Sequence, residues 1–184
     1  KEGSLFAWAT PKTKILQNSD YSLMGERYRK VSDNKNIKWE MVALEDILDY
    51  EQPTKYIVQS VDYDDSYKTP VLTAGKTFVL GYTNETDGIF NEGLPVIIFD
   101  DFTTDIKFVD FPFKVKSSAM KILHAKKDKA DIRFLFRVIQ RIKFPKNEHK
   151  RYWISQYSKI KVPLPSPEVQ KEIRSLLFQI QSQP

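Results

Sequence analysis

The sequence predicts a mixed α+β fold in which a globular, sheet-rich domain is followed by the start of a long helix of the coiled-coil type. Between residues 57 and 116, short segments rich in Val, Ile, Phe and Tyr alternate with clusters of Gly, Asn and Asp, a pattern typical of β-strands. From residue 132 onwards, apolar residues recur at helical spacing instead. The length of 184 residues is typical of one domain with flanking sequence. We therefore divide the chain into a lead-in (1–36), a globular domain (37–164) and the start of a helix (165–184).

The lead-in is polar and weakly periodic, with turn signals at 18–20 and 32–34. Because the chain begins at Lys1 rather than at Met, we expect it to be a fragment of a longer polypeptide or a processed chain. Regular structure is expected to begin at 37–44 and to continue into one helical turn at 45–48.

Six strands are expected in the following 60 residues. Each segment is short, rich in β-branched and aromatic residues, and bounded by turn residues. The predicted strands are 57–61, 70–73, 77–82, 95–99, 106–109 and 111–116. The three residues between the second and third strands are few enough to close a hairpin.

Two of the expected helices begin at residues that cap helix N-termini. Ser117 or Ser118 can start a short helix that ends at Leu123. Ser166, followed by Pro167 at the first helical position, can start a C-terminal helix. This last helix has apolar residues at the seam spacing of a coiled coil, which we expect to contact a partner helix: Val169, Ile173, Leu176 and Ile180.

A third helix is expected over 132–143, capped by Asp128 or Asp131. Its apolar residues fall on one face, and an arginine recurs at every fourth position beside that face. The arginines are Arg133, Arg137 and Arg141. The stripe is suited to holding phosphates, but an ordinary surface helix with long arginine side chains is the alternative.

The positive charge of the chain is concentrated in residues 121–151. This segment has eleven Lys or Arg against three Asp or Glu, a net charge of +8, so the rest of the chain has a net charge of −3. Such a basic segment on a near-neutral body is typical of a surface that binds a polyanion. A solvated, lysine-rich loop remains the alternative interpretation.

The residue content excludes several catalytic classes. Cysteine is absent, which rules out disulfides, thiolate nucleophiles and Cys-ligated zinc, and only two histidines are present. The six glycines form no phosphate-binding loop, and neither a Gly-x-Ser-x-Gly elbow nor a Pro-Pro pair for an amino-methyltransferase occurs. The one pattern left is Asp100-Asp101 followed by Asp105 and Lys107, which a Mg²⁺-dependent nuclease could use. A turn between strands is the expected role of these aspartates instead.

Polar residues that can contact DNA lie at the ends of several predicted strands. Thr, Asn and Lys donate to phosphates and base edges, and Tyr stacks on bases or donates through its hydroxyl. The candidate DNA-binding residues at the strand ends are Thr73, Lys76, Tyr82, Thr83, Asn84, Thr103, Thr104 and Lys107. The basic segment adds Lys121, Arg133, Arg137, Arg141 and Arg151.

Several linked segments resemble the target recognition domain of type I restriction–modification specificity subunits. They are 70–90 (PVLTAGKTFVLGYTNETDGIF), 95–107 (PVIIFDDFTTDIK), 109–123 (VDFPFKVKSSAMKIL) and 149–173 (HKRYWISQYSKIKVPLPSPEVQKEI). Residues 39–47 (WEMVALEDI) are similar to the usual entry of that domain. The resemblance covers about residues 37–180. A full specificity subunit has two recognition domains and two long helices, whereas this chain has one domain and a truncated helix.

The resemblance implies a non-catalytic module that recognises a DNA sequence. Such a domain reads a short part of a bipartite double-stranded DNA target in the major groove. It directs adenine methylation or restriction by methyltransferase and restriction subunits, which flip out the target base. S-adenosylmethionine, Mg²⁺ and ATP belong to those subunits, so we expect no cofactor and no metal here. The C-terminal helix is expected to pair with a second specificity half, and the protein is expected to be cytoplasmic, without membrane contact.

Residues 20–30 (DYSLMGERYRK) are similar to the segment that closes the methyltransferase part of fused modification–specificity polypeptides. The chain is therefore interpreted as the C-terminal part of such a fusion or as half of a specificity subunit. The residues also leave open a non-catalytic protein-interaction adaptor that uses the C-terminal helix and places the basic segment against an acidic protein. Salt dependence distinguishes the two functions, because DNA binding weakens steeply with added salt.

Overall fold

The computed structural model describes residues 12–16, 39–75, 77–126, 128–144 and 151–181. The chain divides into two compact units, Lys1–Lys38 and Trp39–Pro184. In the first unit, the described residues form one short helix, α1 (Lys12–Leu16). The turns predicted at 18–20 and 32–34 lie outside the described residues. None of the helices in the described ranges combines the length and the apolar character needed to cross a membrane.

The second unit is a mixed α+β domain, as the sequence predicts. Its strands are β1 (Glu40–Ala43), β2 (Leu48–Glu51), β3 (Thr69–Leu72), β4 (Val79–Thr83), β5 (Val96–Asp100), β6 (Ile106–Val109), β7 (Lys114–Val115), β8 (Met120–Ala125) and β9 (Lys161–Leu164). Its α-helices are α2 (Leu44–Ile47), α3 (Ile132–Ile139) and α4 (Pro167–Gln181), and 3₁₀ turns cover Pro53–Tyr56 and Tyr157–Lys159.

The strands form three sheets. The largest is antiparallel, with the order β2-β8-β5-β6. The second has the order β4-β3-β7, in which β3 and β4 form the expected hairpin and β3 pairs with β7 in parallel. The third joins β1 to β9 in antiparallel register. The beginning and the end of the domain are therefore paired directly before α4 begins.

Strand β5 is buried along its whole length. Its side chains alternate between two hydrophobic cores, because successive residues of a strand point to opposite faces of the sheet. Ile97 and Phe99 belong to the first core, and Val96 and Ile98 belong to the second. A strand covered on both faces has a continuous apolar sequence, and VIIF at 96–99 is of this kind.

The two cores separate the domain into layers. The first core lies between the β2-β8-β5-β6 sheet and the helices, where Leu135 of α3 and the aromatic ring of Trp153 contact the sheet. The Phe99 ring lies 5.1 Å from the Trp153 ring and 4.7 Å from the Tyr157 ring, centroid to centroid. The second core lies between this sheet and the β4-β3-β7 sheet and includes Leu72. Both sheets thus depend on β5.

A buried ion pair lies at the end of β5. The Nζ atom of Lys121 is 3.1 Å from Oδ2 of Asp101, and the side chains of both residues are at most 2% exposed. The second carboxylate oxygen, Oδ1, accepts a hydrogen bond of 2.9 Å from the Trp153 backbone N–H. Lys121 also donates to Oε1 of Gln52 at 3.2 Å. The pair therefore joins β8, the turn after β5 and the segment that contains Trp153.

The helix predicted from Ser117 or Ser118 to Leu123 is wrong. The segment forms β8, which pairs with both β2 and β5. Its residues alternate between the two cores, with Leu123 in the first and Ile122 in the second, so non-local pairing overrides the capping signal of the serines. The side chain of Ser117 caps a turn instead, where its Oγ accepts the Ala119 N–H at 3.4 Å.

Of the other elements, some differ from the predictions in their bounds, the strand predicted at 57–61 is wrong, and two strands were not predicted. Helix α3 has Asp131 as its N-cap and ends at Ile139 rather than at 143, because the next residues form tighter turns: the N–H of Ile142 donates to the Ile139 carbonyl. Of the segment predicted as a strand at 57–61, only Ile57 forms a bridge. Strands β2 and β9 were not predicted, because each has only four residues and pairs with a distant segment.

We expect Lys121→Met to lower the free energy of unfolding by about 3–5 kcal/mol, because it leaves the Asp101 carboxylate buried without its cation. Urea denaturation at neutral pH measures the change. Lys126→Met is the matched control: the Lys126 ammonium is 3.4 Å from the Asp49 carboxylate in a partly exposed pair, and its loss costs less than about 1 kcal/mol. Equal losses in the two variants would contradict a structural role for the buried pair.

Candidate nucleic-acid interface

The turn between β5 and β6 presents polar residues at the surface on a rigid backbone. Oδ1 of Asp100 accepts the N–H groups of Phe102 at 2.8 Å and Thr103 at 3.0 Å. The N–H of Thr104 donates to the Asp100 carbonyl at 2.9 Å, and Thr104 has a φ of 59°, a left-handed conformation that residues other than glycine rarely adopt. The side chains of Phe102 and Thr103 are exposed. The sequence predicted this turn and both threonines as DNA-binding residues.

Arg151 lies beside this turn. Its guanidinium carbon is 5.8 Å from the centre of the Phe102 ring. The next residue is held in place, because the Tyr152 N–H donates to the Asp101 carbonyl at 2.9 Å. The exposed arginine therefore has a defined position next to the threonines, although the sequence separates them by almost 50 residues.

A cleft of about 670 Å³ opens beside the turn. Its lining includes the polar or charged residues Thr104, Asp105, Gln140 and Lys143, and Phe144 and Tyr157 contribute aromatic surface. Burial raises the pKa of the Tyr157 phenol to about 12, so the hydroxyl stays protonated at neutral pH. The cleft lies between the turn and the end of α3, where Arg141 and Lys143 are exposed.

The tip of the β3–β4 hairpin lies close to the start of β6. The Lys107 ammonium is 5.9 Å from the centre of the Phe78 ring, which connects the two elements. Thr73, which is half-buried, closes the tip by donating its hydroxyl to the Thr77 carbonyl. Lys76 lies outside the described residues. Lys107 pairs with Ile98 and points to the side of the second core, so the hairpin tip and Lys107 lie on one side of the β5–β6 turn and the cleft lies on the other. We call the β5–β6 turn, the hairpin tip, Lys107, Arg141, Lys143 and Arg151 the turn surface.

Three predicted residues lie at the other end of the hairpin. Tyr82 and Thr83 end strand β4 and Asn84 follows it, and Thr83 pairs with Thr69 at the open end of β3 and β4. Four residues of strand separate this end from the tip, or roughly 13 Å. Thr83 is only 1% exposed, and its Oγ1 accepts the Glu85 N–H at 3.2 Å, so its side chain has a structural role. Tyr82 and Asn84 are exposed.

Part of the positive charge that the sequence assigned to a DNA-binding surface is used inside the domain. Lys121 was wrongly placed among the DNA-binding residues, because its ammonium is buried in the ion pair with Asp101. Lys126 and Lys129 donate to the carbonyls of Glu45 and Asp46 near the C-terminal end of α2. These lysines therefore count towards the positive charge of segment 121–151 in the sequence, but they bind groups of the domain itself.

The arginine stripe is also divided. Arg133 is 3.3 Å from the Asp110 carboxylate and lies over the Phe108 ring, near the end of β6. Arg137 lies over the Phe136 ring and donates to Gln140. Because α3 ends at Ile139, Arg141 is in the following turn, beside the cleft. Only the end of the predicted stripe belongs to the turn surface.

The aspartates of the alternative nuclease pattern have other roles. Asp100 caps the turn and Asp101 holds Lys121, so neither carboxylate is available in the arrangement that a metal-dependent nuclease needs. Within the described ranges, no group of three or more His, Cys, Asp or Glu residues is placed to hold a metal ion.

Comparison with known proteins identifies the family. The family model described as "Type I restriction modification DNA specificity domain" matches residues 36–183. This chain belongs to the type I restriction–modification DNA specificity domain family. Over 143 residues it is 50% identical to the type I restriction enzyme EcoR124I/EcoR124II specificity subunit of Escherichia coli, covering 76% of this chain and 35% of that protein. The chain thus spans about a third of the length of this relative.

The fold of this specificity domain is also similar to solved structures. It matches a type I restriction–modification system S subunit from M. genitalium with a TM-score of 0.62 and 15% identity, over 83% of this chain and 41% of that chain. It matches a chain from a structure on complex assembly and conformational transition of the type I system with a TM-score of 0.57 and 15% identity, over 92% of this chain and 44% of that chain. At such low identity, these matches show a shared fold.

In this specificity domain, the first part of the predicted helix seam packs against its own domain. Ile173 contacts the first core, and Val169 and Leu176 are half-buried. The side chain of Ile180 lies outside the described part of α4. Gln170, which the seam pattern passes over, is completely buried beside Ile173. Because residues three apart lie on the same face of a helix, the spacing between Gln170 and Ile173 is the sequence feature that indicates the burial of Gln170.

The specificity domain also has a buried cation that the sequence did not single out. Lys114 on β7 is 3% exposed and lies 2.8 Å from Oε2 of Glu85. Oε1 of Glu85 accepts the N–H groups of Gln59 at 2.8 Å and Ser60 at 2.9 Å. The loop after β4 is therefore fixed to the segment before β3, and exposed Asn84 lies directly beside this connection.

These contacts make the stability of the specificity domain depend on the ionisation of Glu85. Burial alone would raise the pKa of the Glu85 carboxyl, but the hydrogen bonds from Lys114, Ser60 and Gln59 outweigh it and hold the pKa below its ordinary value of 4.5. A carboxyl whose pKa is lower in the folded state contributes stability above the unfolded pKa. That stability is lost as the pH falls through the folded pKa.

We therefore expect Glu85→Gln to destabilise the domain at neutral pH, and the difference from the wild type to shrink as the pH falls below about 4.5. Urea denaturation over a series of pH values measures both curves. Glu92→Gln, in the exposed loop before β5, is the matched control and should leave the curve unchanged. A difference at Glu85 that stays constant down to strongly acidic pH would show that its charge does not stabilise the fold.

Proposed function

We propose that this chain is a DNA target recognition module of a type I restriction–modification specificity subunit. It reads one short part of a bipartite duplex target through the major groove and has no catalytic role of its own. The observation that carries the proposal is the turn surface. A rigid turn with exposed Thr103 is flanked there by the cations of Lys107, Lys143 and Arg151, in a chain that belongs to the specificity-domain family.

The chemistry of this surface suits double-stranded DNA. Arginine and lysine bind phosphates, and threonine donates to phosphates or contacts base edges. The turn is fixed by hydrogen bonds to Asp100, so it presents these groups without an ordering cost on binding. A fixed turn flanked by cations is what a reader of base edges needs.

We further propose methyltransferase and restriction subunits as the partners of this module in the cytoplasm, with a second specificity half contacting α4. The E. coli relative is named as the specificity subunit of a type I restriction enzyme, which supports such an assembly. Methylation of adenine and cleavage, with their cofactors and metals, belong to those partners. This module supplies the choice of sequence.

The first test of DNA binding is its salt dependence. We expect Arg141→Gln, Lys143→Gln and Arg151→Gln, combined in one variant, to weaken binding to all duplexes similarly. The slope of log affinity against log salt should fall by about 0.9 for each phosphate that the protein no longer neutralises. Fluorescence anisotropy with labelled duplexes at several salt concentrations measures both quantities.

A matched variant combines Lys126→Gln, Lys129→Gln and Arg133→Gln, which removes the same charge from residues that are paired within the domain. It should retain most of the affinity. Equal losses of affinity in the two variants would mean that only net charge matters. Binding that does not respond to salt at all would favour the protein-interaction adaptor instead.

The second test concerns sequence choice. We expect Thr103→Ala and Lys107→Ala to relax discrimination by roughly 1–3 kcal/mol for each base edge that is no longer read, while non-specific affinity changes little. Selection from random duplexes by the assembled enzyme measures the preferred sequence. Asn84→Ala, at the opposite end of the β3–β4 hairpin, is the comparison. If only that variant changes the selected sequence, the reading surface lies at the open end of the hairpin rather than at the turn surface.

A further inference from the structure

Gln170 is a completely buried polar residue whose amide is fully used. Its Nε2 donates to the Pro165 carbonyl at 2.8 Å and to the Lys129 carbonyl at 3.3 Å. Its Oε1 accepts the Asp131 N–H at 2.8 Å. The first turn of α4 is therefore bonded to the backbone of the loop that leads into α3.

One turn further along α4, Arg174 contacts the same loop. Its Nη1 lies 2.8 Å from Oδ2 of Asp131. The other oxygen of this carboxylate, Oδ1, accepts the N–H groups of Arg133 and Phe134 and thereby caps α3. One aspartate thus joins the N-terminus of α3 to the side of α4.

Three successive contacts fix the same face of α4. Gln170 and Arg174 are four residues apart, so they lie above one another on the helix, and Ile173 packs into the first core between them. A single contact would leave the helix free to rotate about it, whereas contacts on two successive turns define an axis. We call Asp131, Gln170 and Arg174 the helix joint.

We propose that the helix joint sets the direction of α4 relative to the DNA-reading body, and that Gln170 is the positioning residue on which this direction depends. Resting on the proposed function, the joint then determines the separation of the two parts of the target that the assembled enzyme accepts.

A small change in the direction of α4 at the joint moves the far end of the helix by several ångströms, because the helix is long. From Gln170 to Gln181 the helix extends about 16 Å at 1.5 Å per residue, so a change of direction of about 20° would move the far end by roughly 6 Å. At about 3.4 Å per base pair this corresponds to roughly two base pairs. A small loss of angular precision at Gln170 is therefore large enough to change which target spacing fits.

The choice of glutamine supports a role in direction rather than in stability alone. An apolar residue at position 170 would bury as much surface next to Ile173 but would not fix rotation. Hydrogen bonds have directions, and this amide satisfies two carbonyls and one N–H on residues 129, 131 and 165. Buried polar groups that are fully satisfied specify one arrangement among several of similar energy.

The direction of α4 can be measured without DNA. The sequence contains no cysteine, so Ser117→Cys and Ser175→Cys, both at exposed positions, provide two unique spin-label sites on the body and on α4. We expect one narrow distance distribution by pulsed electron paramagnetic resonance. Gln170→Ala should broaden the distribution or shift its maximum, and Gln156→Ala, at an exposed glutamine outside the joint, should not.

Gln170→Met and Arg174→Gln keep the test decisive if the alanine variant unfolds. The methionine side chain has a similar length and no charge but cannot donate to the Pro165 and Lys129 carbonyls. The second change removes the ion pair and leaves the α3 cap intact. Both should broaden the distribution while circular dichroism shows that the domain is still folded. An unchanged distribution in both folded variants would overturn the proposal.

The functional consequence is tested in the assembled enzyme with duplexes whose two recognition sequences are moved apart or together by one base pair. The wild type should prefer one spacing, and in Gln170→Met the affinity ratio between that spacing and its neighbours should fall towards one. An unchanged ratio in the variant would overturn the role in spacing. If the wild type itself binds no duplex specifically, the proposed function fails. The spin-label distances are measured without DNA, so they still test whether the joint sets the direction of α4.

Discussion

The complete burial of β5 is the constraint on which the rest of the domain depends. Its side chains supply both hydrophobic cores, so the position of this one strand fixes the helical layer on one face and the β4-β3-β7 sheet on the other. A strand covered on both faces cannot shift its register by one residue without exchanging the two sets of side chains. The β5–β6 turn therefore has a fixed position at the edge of both layers.

The buried pair of Asp101 and Lys121 connects the end of β5 to the surface residues around the turn. It lies where β5 leaves the core, and through the Trp153 N–H it holds the segment that brings Arg151 beside the turn. Desolvation makes such pairs costly, so their contribution is to define one arrangement more than to add stability. In this domain the arrangement is a threonine-bearing turn between an arginine and a cleft lined by Lys143.

The basic residues show why charge along a sequence is an incomplete guide to charge on a surface. Lys121, Lys126, Lys129 and Arg133 are close in sequence to Arg141, Lys143 and Arg151, yet they bind carboxylates or carbonyls of the domain itself. Arg174 of α4 is likewise paired within the domain, because it binds the carboxylate of Asp131, the N-cap of α3. The same basic segment therefore supplies both the cations that are paired within the domain and those of the proposed DNA surface.

Local sequence patterns were sufficient to predict the mixed fold, four of the strands near their observed bounds and the Ser166-Pro167 start of α4, because these depend on periodicity and capping. Linked segments were sufficient to predict the family. The patterns left Asp128 and Asp131 as alternative caps of α3, and the structure shows Asp131. The same patterns misassigned β8 and missed β2 and β9, whose conformation is decided by partners far away in the chain. Likewise, the tertiary structure was needed to separate the turn surface from Thr83 and Lys121 and to reveal the burial of Gln170. Burial and pairing depend on which distant residues approach, and no local pattern contains that information.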